Sequence, residues 1–156
     1  MSEVEKRLKA AGLVVPTGAA PVANYIPAVR AGDLVFISGQ IGFGPDGRIA
    51  DAYRGKLGAD VSEVAGRDAA RAAGLNVLAQ LKAVIGDLDQ VERCVRLCGY
   101  INATPDYGAL PQVMNGASDL MVLAFGSKGR HTRTTVGVAQ VPLDCAVEVD
   151  AIFKVA

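Results

Sequence analysis

The residues best suited to chemistry lie near the C-terminal end of the chain. On either side of a Val-Pro-Leu-Asp break at residues 141–144, apolar and polar side chains alternate with period two, and Arg133 and Glu148 stand in the two alternating runs. A guanidinium fork can hold a carboxylate through two parallel N–H···O bonds, and a nearby glutamate can orient a water and take its proton. The pair is therefore a candidate for carboxylate capture beside an oriented water. Pattern alone favours a plainer reading, a surface salt bridge between neighbouring strands, and both readings stand at this point.

Other motifs carry less. Gly42-Phe-Gly44-Pro-Asp-Gly47 has the G-x-G-x-x-G spacing of a dinucleotide loop, but such a loop must open a helix whose N-terminus faces the pyrophosphate. Pro-Asp-Gly is instead a turn, and no helical pattern follows it. Cys94 and Cys98 lie in one apolar run together with no histidine; zinc sites take four ligands, so the two are expected to be buried thiols, and no metal site is expected. His131, the single histidine, sits in a Gly/Lys/Arg loop and is expected to be solvated. One histidine excludes a two-histidine ribonuclease mechanism within one subunit.

These residues need a scaffold, and the periodicity supplies one. Val4, Leu8 and Ala11 space a short helix over 3–12 that Gly12 can stop, and Pro16–Pro21 reads as an extended connection. Tyr25–Arg30 and Leu34–Gln40 are β-like runs joined by Ala-Gly-Asp, with Gly32 suited to a tight hairpin. Residues 41–59 read as a long loop. From Asp60 to Gly86, Val61, Val64, Ala65, Ala72, Leu75, Leu78, Ala79 and Ile85 recur at helical steps, with Asp60 or Ser62 as cap. Val91–Ala103 is a strand, Thr-Pro-Asp-Tyr-Gly a turn, 110–124 a second helix, and Thr132–Gln140 and Cys145–Lys154 two final strands read as a hairpin. The economical packing is an α+β fold, a mixed sheet with two main helices on one face. Within the last hairpin, Val136 and Val138 are expected under the helices with Cys145, Val147, Val149 and Phe153. Arg133, Thr135, Gly137 and Ala139 then share the helix-free face with Ala146, Glu148, Asp150 and Ile152.

Composition sets the outer limits. The 156 residues fit one domain, with residues 1–15 as a helical extension. Sixteen basic and sixteen acidic residues balance, and aromatics are 5% with no Trp, which argues against a nucleic-acid groove. Eighteen glycines beside many alanines point to close backbone packing. The odd cysteine count and the charged N-terminus imply neither a disulfide framework nor a membrane span, and a cytoplasmic location is expected.

The run from Arg133 through Val-Pro-Leu-Asp to Glu148-Val-Asp-Ala resembles the C-terminal signature of the RidA/YjgF family. Ser38-Gly39-Gln40 at a strand end, Tyr25 before it and Asn115 on the second helix match further positions, in order, over residues 22–156. The resemblance implies a chorismate-mutase-like fold, a homotrimer with clefts between subunits, and cofactor-free hydrolysis of enamines or 2-imino acids to 2-keto acids and ammonia. It implies that Arg133 binds the substrate carboxylate and Glu148 positions water. Tyr25, Ser38, Gly39 and Asn115 would line the cleft, and the Thr135 backbone N–H would meet the carbonyl-like end. A non-catalytic metabolite-binding or chaperone-like trimer, and an endoribonuclease or translation inhibitor, are the alternatives. Thr135 stands where Cys or Ser is common, the second helix lacks the usual aromatics, the 126–131 loop is one residue longer, and the N-terminal helix resembles a longer-chain branch.

Overall fold

The computed structural model describes residues 1–20 and 23–156, so the end of the Pro16–Pro21 connection lies outside the described residues. Helix α1 (Glu3–Ala10) opens on a capping box, the Ser2 hydroxyl accepting from the Glu5 N–H while the Glu5 carboxylate accepts from the Ser2 N–H. The Asp89 carboxylate accepts the next two orphan donors, the N–H groups of Glu3 and Val4, at 2.8 and 3.0 Å. Val4 and Leu8 are thereby seated in the same core as the long helices, and α1 packs on the second main helix.

Strands β1 (Ala28–Ala31) and β2 (Leu34–Ile41) form the expected hairpin, with Gly32 at φ +63° in its turn. Tyr25–Pro27 precedes β1 as a bend. Helix α2 (Glu63–Ile85) starts at a Ser62 cap and ends at Gly86, whose φ of +79° suits a residue without a Cβ. Its buried stripe runs through Gly66, Ala69, Ala73, Val77, Leu81 and Ile85. Val64 is off that stripe, 73% exposed, because it shares its turn positions with Asp68 and Arg71, which pair on the surface at 3.0 Å. Strand β3 (Val91–Asn102), helix α3 (Leu110–Phe125), strand β4 (Thr132–Val138) and strand β5 (Val147–Val155) complete the order.

The five strands lie in the order β1-β2-β5-β3-β4. The last two strands are therefore not a hairpin. β3 lies between them, antiparallel to β5 and parallel to β4, and the 139–146 connection crosses over it. The sheet is mixed and both long helices cover one face, α2 over β2 and β5, α3 over β3 and β4. This is the α+β, chorismate-mutase-like architecture.

The expected facing of β4 is reversed. Arg133, Thr135 and Gly137 stand opposite Leu97, Gly99 and Ile101, on the helix side, and Val136 is 41% exposed on the open face. The cause is the closeness of α3: Gly99 makes room for the Met114 thioether and Gly137 lies against Leu110, so the edge strand must turn its small and polar residues inward. β5 behaves as expected, with Val147, Val149, Ala151 and Phe153 buried. Glu148, opposite Tyr100 and Ile41, points to the open face.

The two helices touch through glycine. A Cβ on Gly116 of α3 would collide with the Arg67 carbonyl of α2, and one on Gly74 would lie 2.8 Å from a Leu120 methyl. In an exposed helix Gly→Ala stabilises by about 1 kcal/mol. Here Gly116→Ala is expected to destabilise by about 1–3 kcal/mol through overpacking; a urea midpoint equal to or above that of the wild type would contradict the close approach.

Candidate functional site

The site residues fall into two clusters on opposite faces of the sheet. The first is built on α3 and the edge strand. Arg133 Nη1 donates to Asn115 Oδ1 at 2.7 Å and to Ser118 Oγ at 3.2 Å. Asn115 and Ser118 are one helical turn apart, so α3 offers both to the same guanidinium nitrogen. Among the described residues no other group bonds this guanidinium, so its Nε/Nη2 edge is open. Ser118 is itself held by His131, whose Nε2 lies 2.9 Å from Oγ and whose Nδ1 lies 2.6 Å from the Gly129 carbonyl. A carbonyl only accepts, so Nδ1 carries hydrogen, and in the neutral ring Nε2 accepts from the serine hydroxyl. Thr135, two residues along β4, is half-buried and its hydroxyl has no partner among the described residues.

His131 is thus half-buried and bonded at both ring nitrogens rather than solvated. Sequence reading missed it and Ser118. The i, i+3 spacing of Asn115 and Ser118 was the available signal, and it pointed to Arg133 only once β4 was known to face α3.

The second cluster is built on β2 and β5. A bulge interrupts the β2–β5 register between Ile37 and Gln40, where Ser38 and Gly39 sit. A Cβ on Gly39 would stand 2.6 Å from Glu148 Oε1, so only glycine lets the carboxylate lie against the strand. The Ser38 hydroxyl donates to the Ile26 carbonyl at 2.9 Å and its N–H to the Pro27 carbonyl at 2.9 Å, which fixes the bend carrying Tyr25. Tyr25, Gly39 and Glu148 line one trough of about 970 Å³; Ser38, Asn115, Thr135 and Arg133 do not. Burial, and then the neighbouring Asp150 charge, hold the Glu148 carboxyl above its ordinary range. Tyr100 Oη donates to Asp150 Oδ2 at 2.9 Å. That bond, with burial, pushes the phenol up to about 12.

Arg133 and Glu148 are thus brought to neighbouring parts of the sheet but not together. β3 separates their strands by about 10 Å, and the register, with Arg133 beside Leu97 and Glu148 beside Tyr100, offsets them by about 10 Å more along the strands. Their side chains leave opposite faces. Cys94 is buried as expected, its thiol pushed up to about 12 by burial, whereas Cys98 is half-exposed beside Arg96. Among the described residues there is no group of three or more potential metal ligands and no helix long and apolar enough to cross a membrane. The G-x-G-x-x-G run forms a turn closed by a bond from the Gly47 N–H to the Gly44 carbonyl.

Fold and sequence agree with a known class. Residues 5–153 match the family model described as "YjgF/chorismate mutase-like, putative endoribonuclease", and the chain belongs to this YjgF/RidA family. It is 41% identical over 152 residues to Protein TCP17 of Trypanosoma cruzi, covering 97% of this chain and 93% of that one. The solved structure of Atu1372 from Agrobacterium tumefaciens superposes with a TM-score of 0.91 at 37% identity, covering 98% of this chain and 92% of that one. More distant, at 28% identity over 140 residues and covering 90% and 92% of the two chains, is the 2-iminobutanoate/2-iminopropanoate deaminase of Dermatophagoides farinae.

The raised Glu148 has a thermodynamic consequence. A carboxyl whose folded-state value exceeds its unfolded one favours the fold most at pH below its ordinary range, and that contribution is lost as pH rises through the raised value. Glu148→Gln removes the buried charge, so at about pH 7.5 the variant is expected to have the higher urea midpoint. The gap should close below about pH 4. A variant less stable at neutral pH would show that the carboxylate is a structural anchor.

Proposed function

We propose that this protein hydrolyses reactive enamines and 2-imino acids to 2-keto acids and ammonia. One observation carries the reading: a guanidinium whose orientation is fixed and whose second edge is free among the described residues, in a molecule that also holds a half-buried carboxylate against a glycine bulge. The similarity to the Dermatophagoides farinae deaminase supports the choice of substrate class.

In this reading a second copy of the chain lays its α3/β4 edge against the open face beside Glu148, and a ring of three copies gives three equivalent clefts. The free edge of Arg133 takes the substrate carboxylate bidentately. Asn115 and Ser118 keep the fork from rotating, and the Thr135 backbone N–H meets the polar end of the imine. From the other copy, Tyr25, Ser38 and Gly39 shape the wall and Glu148 accepts a proton from water as its oxygen attacks C2. The imine carbon becomes a tetrahedral carbinolamine, and Glu148 returns the proton to the nitrogen. As the C–N bond breaks, the carbinolamine hydroxyl proton is relayed through Glu148 to the nitrogen, which leaves as ammonia while the C–O bond becomes the carbonyl of the keto acid. Water is the only co-reactant the sequence of steps consumes. Residues 1–156 act as one unit, with 1–15 as its helical extension.

The roles differ enough to be separated. Arg133→Lys is expected to fail nearly as badly as Arg133→Ala, because a point charge cannot reproduce the fork. Losing a desolvated charge pair costs about 2–5 kcal/mol, so keto-acid affinity should fall by a factor of roughly tens to thousands. Glu148→Gln should retain that affinity while turnover of enzymatically generated 2-imino acids drops by roughly 10²–10⁴. Ammonia release and calorimetry on the same preparations check both. Undiminished turnover in Glu148→Gln would remove the water-activating role, and ligand binding without turnover in the wild type would make the protein a metabolite binder.

A further inference from the structure

The trough beside Glu148 is much larger than a three-carbon imino acid requires. Its volume is about 970 Å³, whereas a cavity of about 150 Å³ holds benzene, a ligand with the same six non-hydrogen atoms as 2-iminopropanoate. The added wall is apolar. Val14, Val15 and Pro16 from the N-terminal connection line it together with Phe43, Pro142 and Leu143.

The amides in the wall are already engaged. Asn76 Nδ2 donates to the carbonyls of Ile41, Phe43 and Ala72, and Gln80 Nε2 donates to the Ala19 carbonyl. These bonds tie the connection and the glycine-rich turn to α2, so the trough is preformed, and they leave the side chain of a ligand mainly apolar surface to meet.

Leu143 is the most telling residue. Its φ is +58° and that of Asp144 is +55°, the two non-glycine residues in the left-handed region among those described. A leucine there is strained, and Asn or Gly would fit the backbone better. The turn is nonetheless held firmly. Arg54 Nη1 donates to the Leu143 carbonyl at 2.9 Å, the Gly55 N–H to the Asp144 carbonyl at 2.7 Å, and Asn102 Nδ2 to Asp144 Oδ1 at 3.1 Å. Asn102 is itself fully buried. The product of this scaffolding is a leucine side chain 58% exposed at the wall of the trough. Neither backbone preference nor packing within the chain accounts for it.

We infer that the site takes 2-imino and 2-keto acids with a bulky apolar side chain, which lies in this trough against Leu143 and the Val14–Pro16 wall while its C2 faces Glu148. The assignment rests on the proposed function for its carboxylate and imine ends, and on the trough alone for its side chain.

The test is calorimetric titration of the intact protein with pyruvate, 4-methyl-2-oxopentanoate and phenylpyruvate, alongside turnover of the matching imino acids. Each methylene buried is worth about a factor of four, so the two larger keto acids should bind at least about tenfold more tightly than pyruvate. Leu143→Asn and Val14→Asp, both in the lining, should each cut that ratio by about threefold or more. Leu143→Asn should melt no lower than the wild type, since Asn suits the left-handed backbone, so a lost preference could not be blamed on misfolding. Equal or tighter binding of pyruvate, or a ratio untouched by both variants, overturns the inference. A protein that ranks keto acids by size but turns over no imino acid keeps this inference and loses the proposed reaction. One that turns over imino acids without ranking them does the reverse, and binding of none overturns both.

Discussion

A strand gives its alternate residues to opposite faces, and in this sheet that rule separates the two groups any hydrolytic reading needs. Arg133 is on the helix side of the edge strand, Glu148 on the open side of the central strand β5, and β3 runs between. No rotamer of either side chain carries it through a hydrogen-bonded sheet. The distribution of apolar surface follows from the same constraint. The open face keeps Phe36 and Val136 exposed, while Arg133 is tethered where α3 ends its coverage of the sheet. In the proposed assembly, one copy's open face meets another's edge strand, and the two clusters share one cleft.

Much of this was legible in the residues. Period 3.6 from Asp60 to Gly86 and the apolar run Val91–Ala103 placed the longest helix and strand to within two or three residues. Arg133 and Glu148 were picked out by type and alternation, Ser-Gly-Gln and Asn115 by the family resemblance. Two things were not legible. Chain order favoured pairing the last two strands because a short break joins them, whereas the sheet puts β3 between; the parallel β3–β4 pairing is a non-local contact that no local pattern reports. The phase of β4 was misjudged because valines normally mark the covered face, and here the need for small residues under α3, at Gly99 and Gly137, outweighs that preference. The roles of Ser118 and His131 depended on that phase and could not be read before it.

Several features hold the molecule away from its most stable form, and they gather on one side. Glu148 is half-buried next to Asp150 without a cation among the described residues, a glycine is retained in the interior of β2 to admit it, and Leu143 sits in the left-handed region. Each runs against a local preference for charge pairing, strand propensity or backbone conformation. The opposite end is conventional, with α1 capped by a box, docked on Asp89 and tied to α2 by Lys82 and Glu5 at 2.5 Å. Strain concentrated around a trough, with ordinary stability elsewhere, is the distribution expected of a site kept for function.

The central claim is that Arg133 and Glu148 act together only across a contact between copies. The most direct measurement mixes two variants that are each inactive, Arg133→Ala and Glu148→Gln, by co-expression or by dissociation and reassembly, and assays imino-acid hydrolysis. If each cleft draws its arginine from one copy and its glutamate from the next, random assembly of equal amounts restores both groups in about one quarter of clefts, and activity should return to roughly that fraction of wild type. A mixture that assembles yet stays as inactive as its components would contradict the shared site.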